Sequence, residues 1–81
     1  MALHVIFTDA TVFLSRCEYA SWREVQDDFA GYKASLGPWS PAEVIEYLRD
    51  DHPDLVPDAT TQVEGFLRSG DEVTELTFAD G

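Results

Sequence analysis

The chain has 81 residues, 44% of them hydrophobic and 12% aromatic, which predicts one folded domain with a modest core and excludes a disordered chain. Sixteen acids face five basic residues, a formal net charge of -11; such a surface repels phosphate backbones and anionic lipid, excluding direct nucleic-acid and membrane binding. Cys17 is the single cysteine, so neither an intramolecular disulfide nor a cysteine-built zinc site is expected.

The segment from Met1 to Phe7 lacks a basic n-region and a long apolar run, so no signal peptide is read there. No stretch approaches the ~20 apolar residues of a membrane span. A cytoplasmic location is the expectation.

Leu3-His4-Val5-Ile6-Phe7 is rich in β-branched and aromatic residues and predicts a strand. Val12-Phe13-Leu14 is a second apolar run. The two form either a hairpin across Asp9-Ala10 or one longer, bent strand, since no Asn-Gly or Asp-Gly pair fixes the turn. Ser21-Trp22-Arg23-Glu24 then reads as a capping box. Trp22, Val25, Phe29, Tyr32 and Leu36 recur at spacings of three and four, predicting one helix that ends at Gly37-Pro38.

Ser40-Pro41-Ala42-Glu43 is a second capping box, with proline at the first helical position, where its missing amide is not needed. Val44, Ile45 and Leu48 form the inward face, and His52-Pro53 ends this helix. Asp58 or Thr61 caps a third helix, which carries Ala59, Val63, Phe66 and Leu67 on one side and closes at Gly70. Between Asp71 and Ala79 the alternation of Thr74, Leu76 and Phe78 with Val73, Glu75 and Thr77 predicts a final strand. The fold class is therefore α+β: a small antiparallel sheet from the N-terminal strands and the C-terminal strand, which meet each other, packed against three helices on one face.

Acidity is concentrated after residue 40. Residues 1–39 carry five acids against three basic residues, whereas residues 40–81 carry eleven acids against Arg49 and Arg68 alone. On the second helix, Glu43, Glu46, Asp50 and Asp51 fall opposite the apolar face at ~100° per residue, with Tyr47 among them. Tyr47 is either an anchor for a protein partner or a cover for the core edge with its hydroxyl in water. Four acids on a helix of about 16 Å give roughly one charge per 4 Å. That is near the ~3.4 Å of a single nucleic-acid strand and short of the ~1.7 Å of a duplex. Asp54, Asp58, Asp71, Glu72 and Glu75 would close that gap if folded onto the same side.

No chemistry-bearing motif emerges. A calcium loop starting at Asp50 would need glycine and glutamate where Leu55 and Thr61 stand, and His52 is read as a helix-end residue meeting the negative pole of the dipole. His4 is read as a structural strand histidine, and Cys17, beside Arg16, as an inert thiol. Phosphate-binding glycine loops, a Walker-type lysine and a serine elbow are all missing. Acyl carrier proteins share the size and acidity, but Ala34-Ser35-Leu36 lacks the aspartate of their Asp-Ser-Leu attachment site. No enzyme activity, cofactor, metal or small-molecule substrate is expected.

The expected function is a non-catalytic acidic module. It would be an inhibitor docking on the basic surface of a nucleic-acid-binding protein through Glu43, Glu46, Tyr47, Asp50, Asp51, Asp54 and Asp58. Phage antagonists of restriction or CRISPR systems and immunity proteins against nucleases have this size and charge. The alternative is a structural or adaptor domain of a salt-adapted organism, its acidity serving solubility and Trp39 its binding surface.

Overall fold

The computed structural model describes residues 2–79, with Trp22 described by its backbone alone. In chain order it contains β1 (Leu3–Thr8), β2 (Val12–Ser15), α1 (Trp22–Asp28), β3 (Tyr32–Trp39), α2 (Pro41–Asp51), α3 (Ala59–Ser69) and β4 (Val73–Glu75). The strands form one antiparallel sheet in the order β3-β1-β2-β4. This is the expected α+β class, with N- and C-terminal strands in a common sheet. No helix among the described residues is long and apolar enough to cross a membrane.

β1 and β2 form the hairpin, and Thr8 does the work that an Asn-Gly pair does elsewhere. Its hydroxyl donates to the Thr11 carbonyl at 2.9 Å and accepts from the Ala10 and Thr11 amides. Its own amide closes the turn on the Thr11 carbonyl. Four backbone groups are thereby satisfied by one threonine, so no residue in the turn needs a positive φ.

Period-two alternation divides the sheet residues between two faces. Leu3, Val5, Val12 and Leu14 pack with Val44 and Leu48 of α2, with Ala59, Val63 and Phe66 of α3, and with Leu55 and Leu76. On the other face Ile6 packs with Val25 and Phe29 of α1, alongside Phe13, Tyr19 and Tyr32. The helices therefore cover both faces, two on one and α1 on the other, in contrast to the single covered face expected. The C-terminal strand meets the N-terminal pair as expected, with β4 pairing antiparallel to β2, and β1 lies between β2 and β3.

The largest departure from the sequence reading is the first helix. It ends at Asp28 instead of running to Leu36, and the chain reverses at Gly31, where φ is +75°. Residues 32–39 then add a strand to the free edge of β1. Spacings of three and four did not imply a continuous helix, because Tyr32 and Leu36 serve different faces. Thr8 pairs with Tyr32 and Phe7 with Ala34, leaving Lys33 as a bulge residue. That extra residue shifts the alternation, so Tyr32 joins the Ile6 cluster and Leu36 the main core. Seven residues would not hold a helix in isolation; Val25 and Phe29 hold α1 by burial. Trp22, assigned to the same stripe, has its side chain outside the described part of the structure.

The caps follow the sequence unevenly. Ser40 and Glu43 form the complete reciprocal box. Asp58, not Thr61, caps α3, accepting from the Thr61 amide at 3.0 Å. Ser21 heads α1 without a side-chain bond, and Glu24 accepts from the Ala20 amide instead. The last strand is shorter than expected and is continued by an isolated pairing of Phe78 with Leu55.

Two glycines give a test of the β3 assignment. Gly37 has φ +121°, and a Cβ there would lie 2.6 Å from the Leu3 carbonyl oxygen. Gly65 in α3 has open space around it. Gly65→Ala is expected to stabilise the protein by about 0.4–1 kcal/mol in urea denaturation, and Gly37→Ala to destabilise it by more than that. A neutral Gly37→Ala would contradict the strand pairing.

Candidate interaction site

α2 presents its site because its two faces differ so sharply. Val44 and Leu48 are fully buried against the sheet. Glu43, Glu46 and Asp50, at spacings of three and four, then lie within an arc of about 60° on the outward side. All three carboxylates border one surface groove of ≈ 310 Å³, whose remaining walls are Trp39 and Tyr47. Four of the seven residues expected to bind a partner thus share one groove. The aromatic that completes it, Trp39, comes from the end of β3.

Trp39 is placed by long-range pairing with Leu3. Its ring meets that of Tyr47 edge-on at 5.5 Å. Tyr47 also contacts Phe7 at 6.3 Å and His52 at 5.9 Å, and His52 reaches Phe78 at 6.0 Å. These rings form a half-buried belt packed against the main core. The Tyr47 ring covers the core edge, and the same residue lines the groove. Burial first, and then the adjacent Asp51 carboxylate, push the Tyr47 phenol above its ordinary range.

The groove's charge is not neutralised from within. Glu43 uses one oxygen to accept from the Ser40 amide. Among the described residues, Glu46 and Asp50 accept no hydrogen bond and join no ion pair; the exposed Arg68–Glu64 pair, at 3.9 Å, lies on α3. Arg49 lies to the side, lining a neighbouring hollow with Ile45, Glu46 and Asp50.

The other expected contact residues are arranged less tightly. Asp51 stands on the far side of Tyr47 from Glu46, about 20° from the Val44 direction at ~100° per residue, and so is not on the outward arc expected of it. Asp54 and Asp58 lie in the α2–α3 connection, where the Asp54 carbonyl accepts from the Ala79 amide and Asp58 caps α3. Glu72 and Glu75 are not on this side. β4 pairs with β2 and forms the opposite edge of the sheet from β3, about 14 Å away at ~4.8 Å per strand. Asp71 precedes that strand, and Asp80 lies outside the described residues.

His4 and Cys17, two of the residues weighed for chemistry, occupy another region. His4, Cys17 and Tyr19 line one hollow with Arg16, Glu18 and Pro38. Within it the imidazole meets the Tyr19 ring edge-on at 5.1 Å. The Cys17 thiol points to a Glu72 carboxylate oxygen at 3.5 Å. Arg16 turns away from Cys17, donating to the Phe66 carbonyl and lying over the Phe66 ring. Ser15, fully buried, bonds Tyr19 and caps the Cys17 amide. Among the described residues no three His, Cys, Asp or Glu side chains converge as metal ligands.

No family model matches the sequence, and neither a curated protein nor a solved structure is found to be similar to it.

Two ionisable groups give the fold a defined pH response. Burial lowers the His4 pKa from 6.5, so the unfolded chain binds the proton more readily and stability falls as pH drops through that value. His4→Phe is expected to flatten this limb of a melting-temperature profile. Hydrogen bonds from Thr61 lower the Asp58 pKa from 3.8, with a smaller contribution from Arg49. Its contribution is complete above the ordinary carboxylate value and is lost as pH falls through the depressed one. Asp58→Ala should melt below the parent at neutral pH, with the gap closing on acidification; a constant gap would assign the loss to something other than the charged cap.

Proposed function

We propose that this chain is a non-catalytic, acidic protein-binding module. Its α2 face docks on the basic surface of a partner protein and competes there with nucleic acid. The observation that carries the reading is the clustering of Glu43, Glu46 and Asp50, which form no ion pair among the described residues, around a groove walled by Trp39 and Tyr47. Basic grooves that hold phosphate backbones attract such a face, and steering raises the association rate at low salt. Aromatic residues beside the charges supply the desolvated contact area that interface hot spots use.

Charge spacing refines the manner of docking. Glu43 to Asp50 span about 10 Å of helix axis, or about 5 Å per step. This is sparser than the ~3.4 Å of a single strand, and the β4 acids lie too far away to fill in. The reading is therefore contact with a few discrete basic side chains, as an inhibitor or immunity-type protein would make, in preference to imitation of a duplex.

A second reading keeps one specific support. Acids are exposed on α1 (Asp27, Asp28) and β4 (Glu75) as well as on α2, a distribution suited to solubility in high salt. Melting at low and at molar salt separates the two, since folding only above molar salt would favour adaptation.

Glu43 is unsuitable for the decisive variant, because it closes the helix cap. Glu46→Lys with Asp50→Lys avoids that, and lysine at the C-terminal turn suits the helix dipole. Immobilised parent protein is expected to retain nucleic-acid-binding proteins at low salt and release them as salt rises. The double variant should lose this retention while melting within a few degrees of the parent. Undiminished retention would remove α2 as the contact surface.

A further inference from the structure

We infer that the groove between the end of β3 and α2 is built to take a planar guanidinium, an arginine side chain of the docked protein, in preference to a lysine ammonium. The inference deepens the docking proposal and rests on it. Three observations converge on this occupant. The walls include two aromatic rings, Trp39 and Tyr47, inclined at 62° to one another. Among the described residues the carboxylates of Glu46 and Asp50 have no hydrogen-bond or ion-pair partner, and Glu43 uses only one of its oxygens on Ser40. Each ring is supported from behind, Tyr47 by Phe7 and His52 and both by the main core, so the walls do not have to be ordered on binding.

Chemistry then selects between the two basic side chains. A guanidinium stacks on an aromatic face while its in-plane N–H fork reaches carboxylates at the rim, and it gives up its hydration more readily than an ammonium. A lysine would find the same charge but has no planar group to lay on the rings. The purely electrostatic part of docking is common to both; the aromatic part favours arginine.

The test uses the whole chain at physiological salt with two probes of equal charge, hexa-arginine and hexa-lysine peptides, followed by NMR at the Trp39 indole N–H. Hexa-arginine is expected to shift that resonance and to bind roughly two- to fivefold tighter than hexa-lysine, the factor that one exposed cation–π contact supplies. Trp39→Ala should narrow the margin between the two peptides. Glu46→Gln with Asp50→Asn, which replaces two exposed side chains, should weaken both peptides. Because Trp39 is half-buried and its replacement perturbs packing, the indole shift in the parent and the carboxamide variant test the groove independently. Equal binding of the two peptides with an unmoved indole would overturn the guanidinium site and leave acidic docking standing. Failure of both peptides to bind the parent would overturn the docking reading as well.

Discussion

Burial of Val44 and Leu48 against the sheet fixes the rotation of α2 about its own axis, and every charge in the groove takes its place from that rotation. Fully burying a valine or leucine side chain is worth about 1.5–3 kcal/mol. Carboxylates about 5 Å apart in water repel by about 1 kcal/mol or less per pair, and salt reduces this further. The apolar term therefore wins comfortably. The helix accepts three crowded like charges as the consequence of seating two aliphatic residues. Ser40 and Glu43 add the start point, so both the beginning of the helix and its phase are determined by local sequence.

The same accounting explains which parts of the structure were legible in advance. α2 and α3 carry their own boundary signals, Ser40-Pro41-Ala42-Glu43 and Asp58 at their starts, and His52-Pro53 and Gly70 at their ends. The hairpin was open to two readings because its turn is closed by the Thr8 side chain, for which there is no dipeptide signature. β3 was not legible. Val25, Phe29, Tyr32 and Leu36 keep helical spacing, yet Gly31 breaks the chain and the Lys33 bulge splits the last two between opposite faces. A strand at the sheet edge is specified by what it pairs with, and the pairing of Val5 with Leu36 and Leu3 with Trp39 is invisible to a local window.

That missed strand matters for the site. Glu43, Glu46, Tyr47 and Asp50 follow from helical periodicity alone, so the acidic half of the groove could be drawn from the sequence. The aromatic wall could not, because Trp39 belongs to a different element and reaches Tyr47 only once β3 has joined β1. The condition for Glu72 and Glu75 to extend the patch is not met, for a related reason: proximity in sequence to α3 says nothing about which sheet edge β4 occupies. What remains is a compact three-carboxylate groove with two aromatic walls in place of a broad acidic half.

α2 also breaks a local rule at its far end. Asp50 and Asp51 occupy the last turn, where the carbonyl ends make the helix pole negative and where basic residues are favoured; Arg49 alone offsets them. Each such charge costs a few tenths of a kcal/mol or more, and nothing in the packing requires it, since both side chains are exposed. Asp50 lines the groove, and Asp51 stands against the Tyr47 hydroxyl. The helix is thus stabilised deliberately at Ser40–Glu43 and weakened at Asp50–Asp51. A departure from local consistency that coincides with a site is the pattern expected where a surface serves binding. In the docking proposed above, a cation seated against Asp50 would offset that cost, because it would meet the negative helix pole and the carboxylate together.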